Sequence, residues 1–136
     1  MSKTTLDLST LSDIADGAHT VKVKAKANGF IDSEFSNEVS YTKAPVIQTF
    51  TGTIKNTGTN AATYQIDNGP SVRIQTGSTV TLTAKSNQKV YMYNDGGGDF
   101  CPILTSNGVT VIANDYGGES IFSPTADNFT VEIEAH

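Results

Sequence analysis

Two short stretches hold the residues best suited to chemistry. Asn94-Asp95-Gly96-Gly97-Gly98-Asp99 and Asn114-Asp115-Tyr116-Gly117-Gly118-Glu119 share the pattern Asn-Asp-x-Gly-Gly-acidic. Hard cations such as calcium take carboxylate and carbonyl oxygens, and glycine permits the tight backbone that wraps such an ion. Asp95, Asp99, Asp115 and Glu119 are therefore candidate calcium ligands, and calcium is the one cofactor the sequence offers. The spacing matches neither the EF-hand loop nor a repeated glycine-aspartate calcium motif. Asn, Asp and Gly are equally the residues of plain turns, so the twin loops admit both readings. The same stretches supply Tyr93, Asn94, Phe100, Asn114 and Tyr116, a set of rings and amides that can contact a surface glycan or a protein. The chain has no tryptophan, the broadest platform for a sugar ring.

Other reactive side chains are isolated. Cys101 is the single cysteine, flanked by Phe100, Pro102 and Ile103, and both histidines, His19 and His136, lie far from it in sequence. A nucleophilic thiol needs a neighbouring base, so a buried structural role is expected for Cys101. Lys22, Lys24 and Lys26 alternate along one stretch, a pattern usual for a solvated sheet face. No Gly-x-Ser-x-Gly, His-Glu-x-x-His, phosphate loop or Cys-x-x-Cys occurs. A small hydrolase using the loop carboxylates is the residual enzymatic reading, and a sandwich of this size rarely provides the cleft it needs. The expectation is that the protein is not an enzyme.

The positioning elements must be strands. With 136 residues, 37% hydrophobic and 17% charged, the chain is polar for a globular protein, yet its apolar residues recur with a period of two. Leu6, Leu8 and Leu11 lead to a turn at Asp16-Gly17. His19, Val21, Val23, Ala25 and Ala27 then alternate with Thr20, Lys22, Lys24 and Lys26, and after Asn28-Gly29 the chain returns with Phe35, Val39 and Tyr41 on one face. This reads as a three-stranded segment over residues 1–43. Ala44-Pro45-Val46 is a linker, since proline removes a ladder donor. Residues 47–136 read as a second domain with eight strands near 50–56, 62–67, 71–75, 79–84, 89–93, 101–105, 109–113 and 129–134. So many short strands describe an antiparallel β-sandwich, immunoglobulin-like or jelly-roll-like, or a small barrel.

The run from Leu8 to Phe30, Leu-Ser-Thr-Leu-Ser-Asp-Ile-Ala-Asp-Gly-Ala-His-Thr-Val-Lys-Val-Lys-Ala-Lys-Ala-Asn-Gly-Phe, closed by Ser36-Asn-Glu-Val-Ser-Tyr-Thr, resembles the last three strands of bacterial and phage fibronectin type III or immunoglobulin-like repeats. The family places a corner tyrosine just after the turn glycine, and His19 stands there. The rhythm Val-x-Ile-x-x-Gly-Ser-x-Val-x-Leu from Val72 to Leu82 looks like small bacterial and phage surface modules. Such repeats hold, space or bind. The resemblance implies a non-enzymatic structural or binding module, first of all a phage virion component such as a tail, fibre or capsid-decorating protein. The alternative is a spacer or adhesion module of a bacterial surface protein or secreted carbohydrate-active enzyme.

Charge and topology narrow the partners. A net charge of −5 and a pI near 4.8 give little attraction for nucleic acid or an anionic membrane, which require clustered Lys and Arg. No run has signal-peptide or membrane-spanning length, so a virion, or the cell surface as part of a longer parent, is the expected location. Leu6, Leu8, Leu11, Val21, Val23, Phe35 and Val39 would leave an apolar face on the first segment. The cover is expected to be either the second domain folded back or, the favoured reading, the same segment of another chain in a homo-oligomer; other virion or surface proteins are further expected partners.

Overall fold

The computed structural model describes residues 13–95, 101–114 and 119–136. Eleven strands and no helix occur among these residues, an all-β architecture. The chain divides into two compact units, Met1–Val46 and Ile47–His136.

The first unit is a long hairpin. β1 (Gly17–Val21) pairs antiparallel with β2 (Val39–Lys43), from Gly17 opposite Lys43 to Val21 opposite Val39. His19 Nε2 donates to the Ala15 carbonyl at 2.7 Å, so the imidazole ties the corner to backbone. Lys43 Nζ closes the same corner on the Ile14 carbonyl at 2.6 Å. Two strands are present among the described residues, and Leu6, Leu8 and Leu11 lie outside them.

Beyond Val21 the expected alternation fails, for a visible reason. Val23 exchanges hydrogen bonds with Ser36, and Ala25 with Ser33; in both exchanges the N–H of the first arm goes to the serine hydroxyl. The returning arm thus advances three residues for every two of its partner, and no common face survives. Val23 and Phe35 are each 60% exposed. The lysines are paired in solvent, Lys22 with Glu38 and both Lys24 and Lys26 with Asp32. Lys24 Nζ also sits 5.3 Å above the Phe35 ring.

The second unit contains β3 (Thr49–Asn56), β4 (Ala62–Ile66), β5 (Ser71–Ile74), β6 (Thr79–Lys85), β7 (Val90–Asn94), β8 (Ile103–Asn107), β9 (Val109–Asn114), β10 (Ser120–Pro124) and β11 (Phe129–Ile133). They form a five-stranded sheet, β5-β4-β7-β10-β9, and a four-stranded sheet, β6-β3-β11-β8. Alternation along each strand fills the space between them: Leu82 and Ala84 of β6, and Val131 and Ile133 of β11, point inward to meet Ile74, Val90 and Met92. Phe122 and Phe129, one from each sheet and both fully buried, meet edge to face with ring centroids 5.8 Å apart.

Nine strands occur among the described residues of this unit where eight were expected. The additional one, β10, reads Ser-Ile-Phe-Ser-Pro, and its inward positions are Ser120, Phe122 and Pro124 while Ile121 is half-exposed. Buried serine and proline against an outward isoleucine invert the hydropathy signal. Pairing is antiparallel throughout both sheets except between β11 and β3, which run parallel with Phe129 opposite Gly52 and Ile133 opposite Asn56.

That parallel seam is tightly fitted. A Cβ on Gly52 would collide with the Phe129 ring and carbonyl, and one on Gly58 with the Ala135 backbone. Asn56 is fully buried, and its amide is satisfied on every side. Nδ2 donates to the carbonyls of Asn60 (2.8 Å) and Ile74 (3.4 Å), while Oδ1 accepts from the N–H groups of Gly58 (3.0 Å) and Ala135 (3.4 Å). Asn56→Ala strands these groups away from water and is expected to cost the second unit about 1–3 kcal/mol. Chemical denaturation is the measurement. Thr81→Val at an exposed position of β6 is the control, expected within about 0.5 kcal/mol of the parent protein.

Candidate functional site

Both acidic loops leave the sandwich at one end. β7 stops at Asn94, β9 stops at Asn114, and Ser120 at the start of β10 pairs with Met92 on one side and Asn114 on the other. Asp95 and Glu119 are therefore presented at the same end of the five-stranded sheet. Asp99, Phe100, Asp115 and Tyr116 lie outside the described residues.

Asp95, Tyr93 and Asn114 have defined partners. Asp95 Oδ2 lies 2.6 Å from Arg73 Nε of β5, and its Oδ1 accepts from Thr63 of β4 at 3.3 Å. This pair is more than one-third exposed at both ends, a geometry worth at most about 1 kcal/mol. The Tyr93 hydroxyl donates to the Glu119 carboxylate. Burial first, then that hydrogen bond and the negative charges of Glu119 and Tyr91, push the Tyr93 pKa above its ordinary value. Asn114 reaches across to the other sheet and imitates a ladder residue: Oδ1 accepts from Ile103 N–H at 2.7 Å and Nδ2 donates to the Ile103 carbonyl at 2.9 Å. Ser120 Oγ adds a third bond to the same Oδ1 at 3.3 Å. The Asn114 amide thus clips the two sheets together.

Around these residues the outer face of the five-stranded sheet forms a continuous surface. Met92 is buried, so Tyr91 and Tyr93 emerge together from the central strand β7 as half-buried rings. Thr63 stands opposite Tyr93, and Gln65, Tyr91, Ile121 and Ala113 form the next rank across four strands. Tyr91 shares parity with Tyr93 and was within reach of sequence reasoning. Arg73, Thr63 and Gln65 were not, because placing them requires the strand order β5-β4-β7. Such a surface offers two flat rings beside an amide, a hydroxyl, a guanidinium and two carboxylates, the equipment of a polar ligand site. Among the described residues no three His, Cys, Asp or Glu side chains converge as a metal-ligating group.

A second surface lies on the four-stranded sheet. Two adjoining shallow hollows, of about 240 and 220 Å³, are lined by threonines 53, 79, 105 and 130 with Lys55 and Glu132, and by Thr51, Thr81 and Asn128. Lys55 and Glu132 face each other at 3.7 Å. The lining provides hydroxyls and one exposed ion pair.

Cys101 is fully buried, and desolvation pushes its thiol up to about 11. Among the described residues no helix is long and apolar enough to cross a membrane. No protein-family model, no curated protein and no solved structure matches the chain. Function must be argued from these surfaces.

Glu119→Gln removes the carboxylate beside Tyr93 and is expected to lower the Tyr93 pKa, read as earlier appearance of tyrosinate absorbance in an alkaline titration. For Cys101 the folded thiol keeps its proton to about pH 11, whereas an exposed one releases it near 9.0. The folded state binds more protons in that window, so this contribution to stability is intact below pH 9 and is lost as pH rises toward 11. Denaturation midpoints across the window should fall more steeply in the parent protein than in Cys101→Ala.

Proposed function

We propose that the chain is a non-enzymatic structural and recognition module whose second unit contacts a surface saccharide through the outer face of its five-stranded sheet. The observation that carries this reading is the placement of Tyr91 and Tyr93 side by side on the central strand, ringed by Thr63, Gln65, the Arg73–Asp95 pair and Glu119. Neighbouring rings supply apolar area, and the surrounding polar groups supply direction for hydroxyl recognition.

The proposed setting is a phage virion, as a tail, fibre or capsid-decorating component. The fibronectin type III-like grammar of residues 1–43 supports it, as does a sandwich that needs no disulfide, with its single cysteine buried. In that setting the first unit spaces the second from its neighbours, and copies of the chain or other virion proteins are the partners.

Binding of labelled protein to bacterial cells and to an array of bacterial surface saccharides tests the reading. Tyr91→Ala combined with Tyr93→Ala is expected to weaken binding by about tenfold or more, equivalent to about 1.4 kcal/mol. Bound polysaccharide should show no release of reducing ends. Undiminished binding by the double variant would contradict the assignment.

A further inference from the structure

The two edge strands on one side of the sandwich are both broken by bulges, and each bulge pushes a large aliphatic side chain outward. On β8 the partners of Glu132 and Ile133 are Thr105 and Ile103, leaving Leu104 as the additional residue. On β9 the partners of Ile121 and Phe122 are Ala113 and Val111, leaving Ile112. Leu104 is 46% exposed and Ile112 is 47% exposed. β8 and β9 are joined by Gly108 alone, and the two bulged residues lie four positions before and four after it. The Asn114–Ile103 hydrogen bonds hold the two strands at matching height. Leu104 and Ile112 therefore share one level of the edge, with Val111, 39% exposed, beside them.

Bulges re-aim a side chain and interrupt strand-to-strand pairing at an edge, so contact there falls to the side chains they turn out; charge and proline guard edges as well. Each edge has a proline just before one of its strands, Pro70 before β5 and Pro102 before β8, but only the opposite edge carries charge, with Arg73 on β5 and Lys85 at the end of β6. Residues 103–114 contain no charged side chain in a chain of net charge −5. Two copies brought together through a charged face would oppose like charges, whereas this edge opposes none to itself.

We propose that two copies of this chain associate about a two-fold axis through the β8–β9 edge, Leu104 and Ile112 of one copy packing on the same region of the other. A self-complementary neutral patch is what an isologous interface requires. The interface is independent of the saccharide reading, which concerns a different surface.

Sedimentation velocity of the full chain over a range of concentrations tests the proposal. The parent protein is expected to dimerise, and Leu104→Glu with Ile112→Glu to weaken dimerisation roughly tenfold or more. Val72→Glu, at an exposed position on the opposite edge, should leave it unchanged. Circular dichroism checks that the variants fold. Should the glutamates unfold the protein, Ile112→Cys decides instead: mild oxidation is expected to give a covalent dimer through the introduced thiol, Cys101 being buried. A monomeric parent protein at every concentration, a dimer indifferent to both glutamates, or an Ile112→Cys variant that never cross-links would each overturn the assignment. A dimer indifferent to the glutamates would place association on the first unit.

Discussion

The parallel pairing of β3 with β11 joins the strand that opens the second unit to the strand that ends it. The four-stranded sheet cannot be completed until both are present, because β3 and β11 are its two inner strands. Such long-range closure adds a loop-closure entropy that must be met before the contacts reward it, and makes cooperative formation the natural outcome. The seam is built for close approach. Gly52 leaves room for Phe129, Gly58 leaves room for Ala135, and the buried Asn56 amide gathers the backbone of residues 58, 60, 74 and 135 into one knot.

The surfaces follow from that closure. With β11 held beside β3, Phe129 projects into the core and meets Phe122 of β10, which fixes the five-stranded sheet against the four-stranded one. Asn114 fastens the far side of the sandwich by occupying the Ile103 backbone. The tyrosines of β7 are thereby carried on the middle strand of a rigid sheet. Rigid presentation matters for recognition, since a preorganised face loses little entropy on contact. The bulges at Leu104 and Ile112 belong to the same geometry: the edge strands must accommodate one additional residue each, and the residue left over faces water.

Period-two alternation made much of the second unit legible. β3, β4, β5, β6, β7, β9 and β11 fall close to where hydropathy places them, because apolar residues recur at every second position along most of them. β10 escaped because its inward residues include Ser120 and Pro124. The parallel pairing was not legible, since register between the first and last strands leaves no local trace. In the first unit the sequence alternates through Lys26, yet the regular ladder stops at Val21, where Ser33 and Ser36 accept hydrogen bonds from the opposing arm and shift the register. At the candidate site the acidic loops were visible as a repeat. The internal commitments of Asp95 to Arg73 and of Asn114 to Ile103 were not, because both partners come from strands distant in sequence.

Native-state hydrogen exchange resolved by residue addresses the seam directly. If β3–β11 pairing closes the second unit, the ladder amides of β3 and β11 exchange through the same opening, with the same free energy as the buried amides of β7, and denaturant shifts all three alike. Exchange of β11 through a smaller, denaturant-independent opening while β7 and β4 stay protected would contradict the account, because it would mean that the five-stranded sheet stands without the seam.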